Sequence, residues 1–545
     1  MPFPARNSDR GGTRSAGDAL ALFVSALVLT TPFVSQVARA QVLTSQYNNA
    51  RTGANLNETA LTPSAVNVHQ FGKLFALHVD GDIYGQPLYM PRLEIPGKGI
   101  HNVVFVATEH DSVYAFDAEA HPSEPLWKAS FLNSSADPLT DRDVGCPFIR
   151  PEVGITSTPV IDLKTGTLYV LARTKESPGF FTTRYVQRLH ALAVTTGVEK
   201  FGGPVEIQAS VQGSGEGSTQ GQIKFGSLRE NPRGALLLAQ GRIYLTWASS
   251  CDVGPYHGWV IAYDSRTLKQ VAAFNTSPDA AESGIWAGDA GPAADDEGNV
   301  FAATGNGVFD AAQGGRDYGD TLLKLRLGAP GLLVPDYFTP SNEQQLNHND
   351  DDLGSGGPVL LPDQPGLHPH LLAVAGKGGT IYLVDRDRMG KYREGNDPHA
   401  VQTIHLRGSA FGAPAYWNHH VYFLVSDDVL RDFVVERGLL KLAAKGNAQF
   451  IDPGATPAVS SNGPRGGVVW VLSSRHWDEP DKRPAVLHAY EASNVAHELY
   501  NSEQNSSRDR AGIGLRFTVP TVVDGRVYVG AKRELDVYGL ISPGR

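Results

Sequence analysis

The chain has 545 residues, 41% of them hydrophobic and 19% charged, and carries a net charge of −10. That length is ample for a large buried core, and the acidic balance argues against nucleic acid and anionic membrane surfaces as partners. No P-loop, H-E-x-x-H, C-x-x-C or G-x-S-x-G pattern occurs, so nucleotide-phosphate, metalloprotease, zinc-finger and serine-hydrolase chemistries lack their usual signatures.

Arg6, Arg10 and Arg14 precede the apolar run 19–34, and Ala38-Arg39-Ala40 follows with the small-x-small pattern that signal peptidase requires. Residues 1–40 are therefore expected to be a secretory signal cleaved before Gln41. The run of about 16 residues is short for a membrane anchor, and no later stretch approaches the roughly 20 needed. No transmembrane segment is expected, and the mature protein is expected to be periplasmic or secreted. Residues 41–70 read as a polar lead-in.

From residue 71 onward one pattern recurs. NVVFVAT (102–108), GTLYVLA (166–172), GRIYLTW (241–247), GNVFAAT (298–304), HLLAVAG (370–376), HHVYFLV (419–425), GGVVWVL (466–472) and GRVYVGA (525–531) are eight copies of a short β-branched and aromatic run. Most are followed by a second strand, such as SVYAFDAE (112–119), WVIAYDSRT (259–267) and TIYLVDRD (380–387). A period of roughly 50 to 75 residues with paired hydrophobic strands is the signature of a β-propeller, one four-stranded sheet per repeat. The expected fold is all-β, an eight-bladed β-propeller over 71–545. The last copy falls one strand short, so FGKLFALHVDG (71–81) is expected to complete the eighth blade. The Ser/Gly/Gln/Asn-rich stretches 211–226 and 500–510 are expected to be solvated loops.

In such a blade the turns after the second strand and the connections between blades open on one rim. They carry Glu109, Arg173, Asp252, Asn306, Lys377 and Arg475 in the turns, and Cys146, Glu152, Glu230, Trp286 and Asp350–Asp352 in the connections. A rim mixing acids, bases, an amide and an indole around a central channel suits a small-molecule or protein ligand.

Partial copies of an A-x-D-x-x-T-G-x-x-x-W docking motif, AFDAEAHPSEPLW (115–127) and ALAVTTGVEKF (191–201), make the repeats resemble the pyrroloquinoline-quinone (PQQ)-like propellers. The resemblance to quinoprotein alcohol dehydrogenases is sharpest between Ser250 and Arg388. SCDVGPYHGWVIAYD (250–264) resembles the segment holding an acidic calcium ligand, here Asp252 where the family has Glu. SGIWAGDAGPAADDEGNVFAATGNG (283–307) resembles the segment that supplies the tryptophan beneath the quinone and an asparagine metal ligand, roles that fall on Trp286 and Asn306. NDDDLGSGGPVLL (349–361) resembles the acidic stretch carrying the general base, which implies Asp352 for that role and Asp350 as a further metal ligand. KGGTIYLVDR (377–386) resembles the strand whose leading cation meets the quinone's carbonyl oxygens, which implies Lys377.

The resemblance thus implies PQQ, Ca²⁺ and oxidation of an alcohol or sugar. The family's adjacent cysteine pair is absent, and no C-x-x-C-H haem attachment occurs. Cys146 and Cys251 fall on one rim of neighbouring blades, which favours a bridge between them, with two free thiols as the alternative. The repeats serve equally well a non-catalytic scaffold that binds a protein or glycan in the cell envelope.

Overall fold

A computed structural model describes residues 40–119, 124–179, 182–288, 290–474 and 483–541. The proposed signal and the rim residue Arg475 lie outside the described residues. The described residues belong to one compact unit, Arg39–Arg545.

The sheets are antiparallel meanders that follow one another along the chain. Leu88–Ile95, Gly99–Ala107, Ser112–Asp117 and Trp127–Ser130 form the first sheet. The third is Leu237–Ala239, Arg242–Trp247, Trp259–Asp264 and Gln270–Asn275. The other predicted copies begin sheets at Val160–Asp162, Ala293–Ala294, Val359–Leu360, Ala415–Trp417, Ala458–Asn462 and Thr521–Val523. Phe71–His78 pairs antiparallel with Glu534–Leu540, so the first long strand completes the last sheet. Buried Asp536 reinforces that join: it takes an ion pair from Lys73 at 2.5 Å and the Gly512 N–H at 2.6 Å.

Strands such as Arg242–Trp247 and Thr380–Asp385 bury both faces, as their near-continuous apolar sequences require. Ile243, Leu245 and Trp247 pack with Tyr169 and Leu171 of the preceding sheet. Tyr244, pointing the other way, packs with Val300 and Leu323 of the next. The last sheet packs on the first in the same manner, with Val523 and Tyr528 in one cluster with Leu88 and Phe105.

The lead-in is the feature that composition conceals. Its polar sequence reads as solvent-facing, yet Val42, Ser45, Gln46 and Arg51 are fully buried. The segment 42–55 bonds to one strand in each of eight of the nine sheets described, at Tyr89, Ile161, Leu238, Ala294, Leu360, Tyr416, Val459 and Val522. Seven of these positions lie two residues after a proline, from Pro87 to Pro520, and Leu238 lies two after Leu236, which stands in the proline's place. The contacts therefore share one level. Arg51 donates to Pro292 O (3.0 Å), Thr44 Oγ1 and Ser45 O (both 2.8 Å) and Leu236 O (3.3 Å). Without a carboxylate partner, burial lowers its guanidinium to about 9.

Two stretches expected to be loops carry structure. Within 211–226, Ser210–Gln212 pairs with Gln222–Lys224, because Ile223 packs under Trp247. Within 500–510, Tyr500 and Asp509 are buried, and Arg508 caps the Val68 and Phe71 carbonyls at 2.9 Å each. In both cases a single apolar or charged residue finds a partner distant in sequence.

Replacing Arg51 with Ala removes the donor that reaches four buried acceptors. Denaturant titration should show a loss of about 3–5 kcal/mol, with Arg51→Lys recovering only part because one ammonium cannot span the same four oxygens.

Candidate functional site

Three loops meet where the first strands begin. The short helix Glu343–Asn349 ends in Asp350, whose φ of 60° is left-handed and turns the chain sharply. Asp352 follows, immediately before a 3-10 turn at Leu353–Ser355. Its carbonyl accepts the Lys377 N–H at 3.0 Å, which fastens the loop to the next hairpin. Gly376 and Gly305 make this closeness possible: a Cβ on Gly376 would lie 2.3 Å from Asp352 O, and one on Gly305 would lie 1.9 Å from Asp352 Oδ1 and 3.0 Å from Trp286 Nε1.

The result is a buried carboxylate held from both sides. Asp352 Oδ2 is 2.5 Å from Lys377 Nζ, while Oδ1 accepts the Asn306 N–H at 2.8 Å. Burial pushes the carboxyl up to about 6, with the Lys377 charge pulling it back and Asp252 adding to the rise. Lys377 is itself raised, since the two carboxylates outweigh the cost of burying its ammonium. Its Nζ also donates to Asp350 Oδ1 at 2.9 Å, the same oxygen that accepts Asn306 Nδ2 at 2.8 Å. Asn306 Oδ1 and Trp286 Nε1 are buried without a protein partner. Behind Asp352, Asp320 accepts the Leu353 N–H at 2.8 Å, and burial raises its carboxyl to about 8.

A cavity of about 180 Å³ opens here, bordered by Trp286, Asp350, Asp352, Lys377 and Asp252. Asp252 is exposed, and its Oδ1 accepts the Tyr256 hydroxyl at 2.6 Å. The disulfide Cys146–Cys251, with Cα atoms 5.5 Å apart, ties the segment before the second sheet to a turn of the third, and Cys251 also borders the cavity. Thus Trp286, Asp252, Asp350, Asp352 and Lys377 line one space, and Asn306 does not border it but bonds both Asp350 and Asp352.

The rest of the wall was not expected: Phe148, Arg233, Phe411, Arg516 and Phe517. The signal for it is present in the repeats. Arg233, Ser355, Phe411 and Phe517 each stand three residues before the proline, or before Leu236 in its place, that starts a sheet, and Gly288 and Arg516 stand four before. Aligning the repeats on those positions would have picked out Arg233, Ser355, Phe411 and Phe517 together.

No protein-family model matches the sequence, and no curated protein matches it. Solved structures do. Quinohemoprotein alcohol dehydrogenase ADHIIG from Pseudomonas putida HK5 aligns over 93% of this chain and 81% of its own, with a TM-score of 0.60 and 14% identity. The quinohemoprotein alcohol dehydrogenase of Comamonas testosteroni aligns over 94% and 82%, with a TM-score of 0.60 and 15% identity. A europium-containing methanol dehydrogenase aligns over 92% and 98%, with a TM-score of 0.55 and 13% identity. The fold is the β-propeller of the quinoprotein alcohol dehydrogenases. At these identities the likeness concerns the fold. Among the described residues, no helix is long and apolar enough to cross a membrane.

Two measurements follow from the surroundings of this propeller's rim. Cys146 and Cys251 are 105 residues apart, so replacing both with Ser should cost about 2–4 kcal/mol in denaturant unfolding through the freed loop entropy. Away from the cavity, burial raises Glu109 to about 7, Glu230 to about 8 and Asp536 to about 6. The folded chain then holds protons that the unfolded chain has released, so stability falls as pH rises from about 5 to about 8. Carboxyls held low, such as Asp143 and Glu176, act oppositely and lose their contribution below about pH 4. The melting temperature measured across pH should peak near pH 5.

Proposed function

We propose that the protein is an exported quinoprotein dehydrogenase that oxidises an alcohol or sugar, and that its sheets form a closed eight-bladed propeller. The observation that carries the enzyme reading is Asp352: a buried carboxylate held by Lys377 and by the Asn306 N–H, beside an indole, on a cavity wall. The closed ring is supported by the common level of the eight lead-in contacts and by the packing of the last sheet on the first. A disulfide accords with an oxidising compartment.

Asn306 Oδ1 is a buried hard oxygen without a protein partner, and it would hold Ca²⁺ together with Asp252 and Asp350, although no three acidic side chains converge as a metal-binding group among the described residues. Trp286 offers an indole for stacking against a planar quinone. At about 180 Å³ the cavity is smaller than the roughly 300–1,000 Å³ of sites enclosing whole drug-sized ligands. When bound, PQQ would supply the hydride acceptor and Ca²⁺ a Lewis acid.

The chain's own part is proton handling and positioning. Asp352 Oδ2 accepts the substrate hydroxyl proton, and Lys377, already fixed against that oxygen, turns its remaining donor capacity toward negative charge that develops in the cavity. Asp350, itself bonded by the Asn306 amide, holds the lysine beside Asp352 until a ligand competes for the ammonium.

Adding PQQ and Ca²⁺ to the purified chain should give a bound-quinone absorbance and dye-coupled alcohol oxidation. Asp352→Asn should lower kcat by roughly 10²–10⁴ while quinone still binds, the range expected for losing a general base. Absence of a bound-quinone spectrum in the unmutated protein would refute the proposal.

A further inference from the structure

One buried carboxyl stands beside the site without bordering its cavity. Asp320 lies two residues before the strand Leu322–Leu327 and is 1% exposed. Its φ of 44° is left-handed, a costly state that a residue other than glycine holds only where its surroundings impose it. The N–H of Asp320 donates to Gly305 O at 2.8 Å, and its Oδ1 accepts the Leu353 N–H at 2.8 Å. Asp320 thereby joins the two turns whose meeting gives Asp352 its second partner, the Asn306 N–H at 2.8 Å.

The Asp352 carbonyl and the Leu353 N–H belong to one planar peptide unit. Asp320 holds its N–H end, and the Lys377 N–H holds its carbonyl end at 3.0 Å. A planar unit fixed at both ends cannot turn without breaking one of the two bonds, so the Asp352 side chain that leads into it keeps one orientation. The neighbouring glycines leave no slack. A Cβ on Gly376 would lie 2.6 Å from Leu353 Cα, and one on Gly354 would lie 2.5 Å from Ala303 O. Asp320 Oδ2 is buried without a protein partner. Burial raises the carboxyl to about 8, so at neutral pH it carries its proton and sets no further negative charge beside Asp352.

We propose that Asp320 is the positioning residue of this site. It fixes the peptide unit joining Asp352 to Leu353 against the 305–306 turn, so that the Asp352 carboxylate meets Lys377 and Asn306 at the cavity wall. The kinetic consequence rests on the dehydrogenase reading; the positioning does not.

The full mature chain is to be compared with Asp320→Asn, whose amide oxygen still accepts from Leu353, and with Asp320→Leu, which has no acceptor. In hydrogen exchange without quinone or metal, Asp320→Leu should speed exchange in 304–307 and 352–356 by roughly tenfold or more, while Asp320→Asn matches the unmutated chain. The lead-in contacts at Ile161 and Tyr416 should exchange alike in all three. With PQQ and Ca²⁺ supplied, Asp320→Leu should lower kcat by roughly 10–100-fold at unchanged KM, the scale expected for a displaced reacting group, and Asp320→Asn should keep most of the rate.

Exchange that accelerates throughout the sheets in Asp320→Leu would make the residue a general support of the fold and overturn the proposal. A kcat loss equally large in Asp320→Asn would do the same. If the unmutated chain takes up no quinone, the dehydrogenase reading falls and the exchange comparison still decides the positioning. Melting temperatures show whether Asp320→Leu folds; if it does not, Asp320→Ser, whose shorter side chain withdraws the acceptor, carries the test.

Discussion

The first strand of a sheet presents an edge whose N–H groups could not stay buried without partners. Residues 42–55 supply those partners. Five donors, at Ile161, Ala294, Leu360, Tyr416 and Val459, are taken by successive carbonyls of the segment, Tyr89 pairs with Val42 in both directions, and Val522 N–H is taken by the Tyr47 hydroxyl. Gln46, Tyr47 and Arg51 adopt left-handed φ values of 56°, 68° and 60°, turns that let one short chain visit eight strand edges. Arg51 meets the remaining demand by giving its donors to carbonyls of two sheets and of the segment itself.

The same arrangement fixes the cavity. The lead-in contacts lie two residues after each sheet's opening proline, or Leu236 in its place, while the wall residues Arg233, Ser355, Phe411 and Phe517 lie three before. Five residues of extended chain span about 16 Å, so the segment and the cavity occupy different levels of one interior. The lead-in holds the first strands together at one level, and the loops that precede them are then free to carry chemistry at the other. Close packing at that level is visible at Gly288, where a Cβ would lie 2.2 Å from Phe411 O.

Sequence made the repeat unit legible because each sheet is written locally: a β-branched run, a turn, and a second strand that buries both faces. The role of Phe71–His78 was legible for a different reason, since the last repeat lacked a strand and the first long strand lacked a repeat. The insertion of 42–55 was not legible, because TSQYNNARTGAN is polar and its partners are backbone groups spread over more than 400 residues. Among the candidate residues, Asp352, Lys377, Trp286 and Asn306 stand in runs that resemble a known pattern. Arg233 and Phe517 stand in none, and become visible only when the repeats are aligned on their opening prolines. Motif likeness finds what a family shares, whereas repeat alignment finds what the architecture points inward.

The centre of the candidate site is best understood as a competition for one ammonium. Lys377 contacts Asp352, which is buried, and Asp350, which is exposed. Burial costs Asp352 more of its charge, so the lysine's contact there offsets a larger penalty, while Asp350 retains water as an alternative partner. Any anion or carbonyl entering the cavity can therefore draw the ammonium from Asp350 at little cost, leaving its bond to Asp352 in place. Asn306 Nδ2 is already bonded to the Asp350 oxygen that the lysine would leave. A lysine with one firm and one replaceable partner is prepared to respond to ligand without the backbone moving, and this follows from the difference in burial between two aspartates two residues apart.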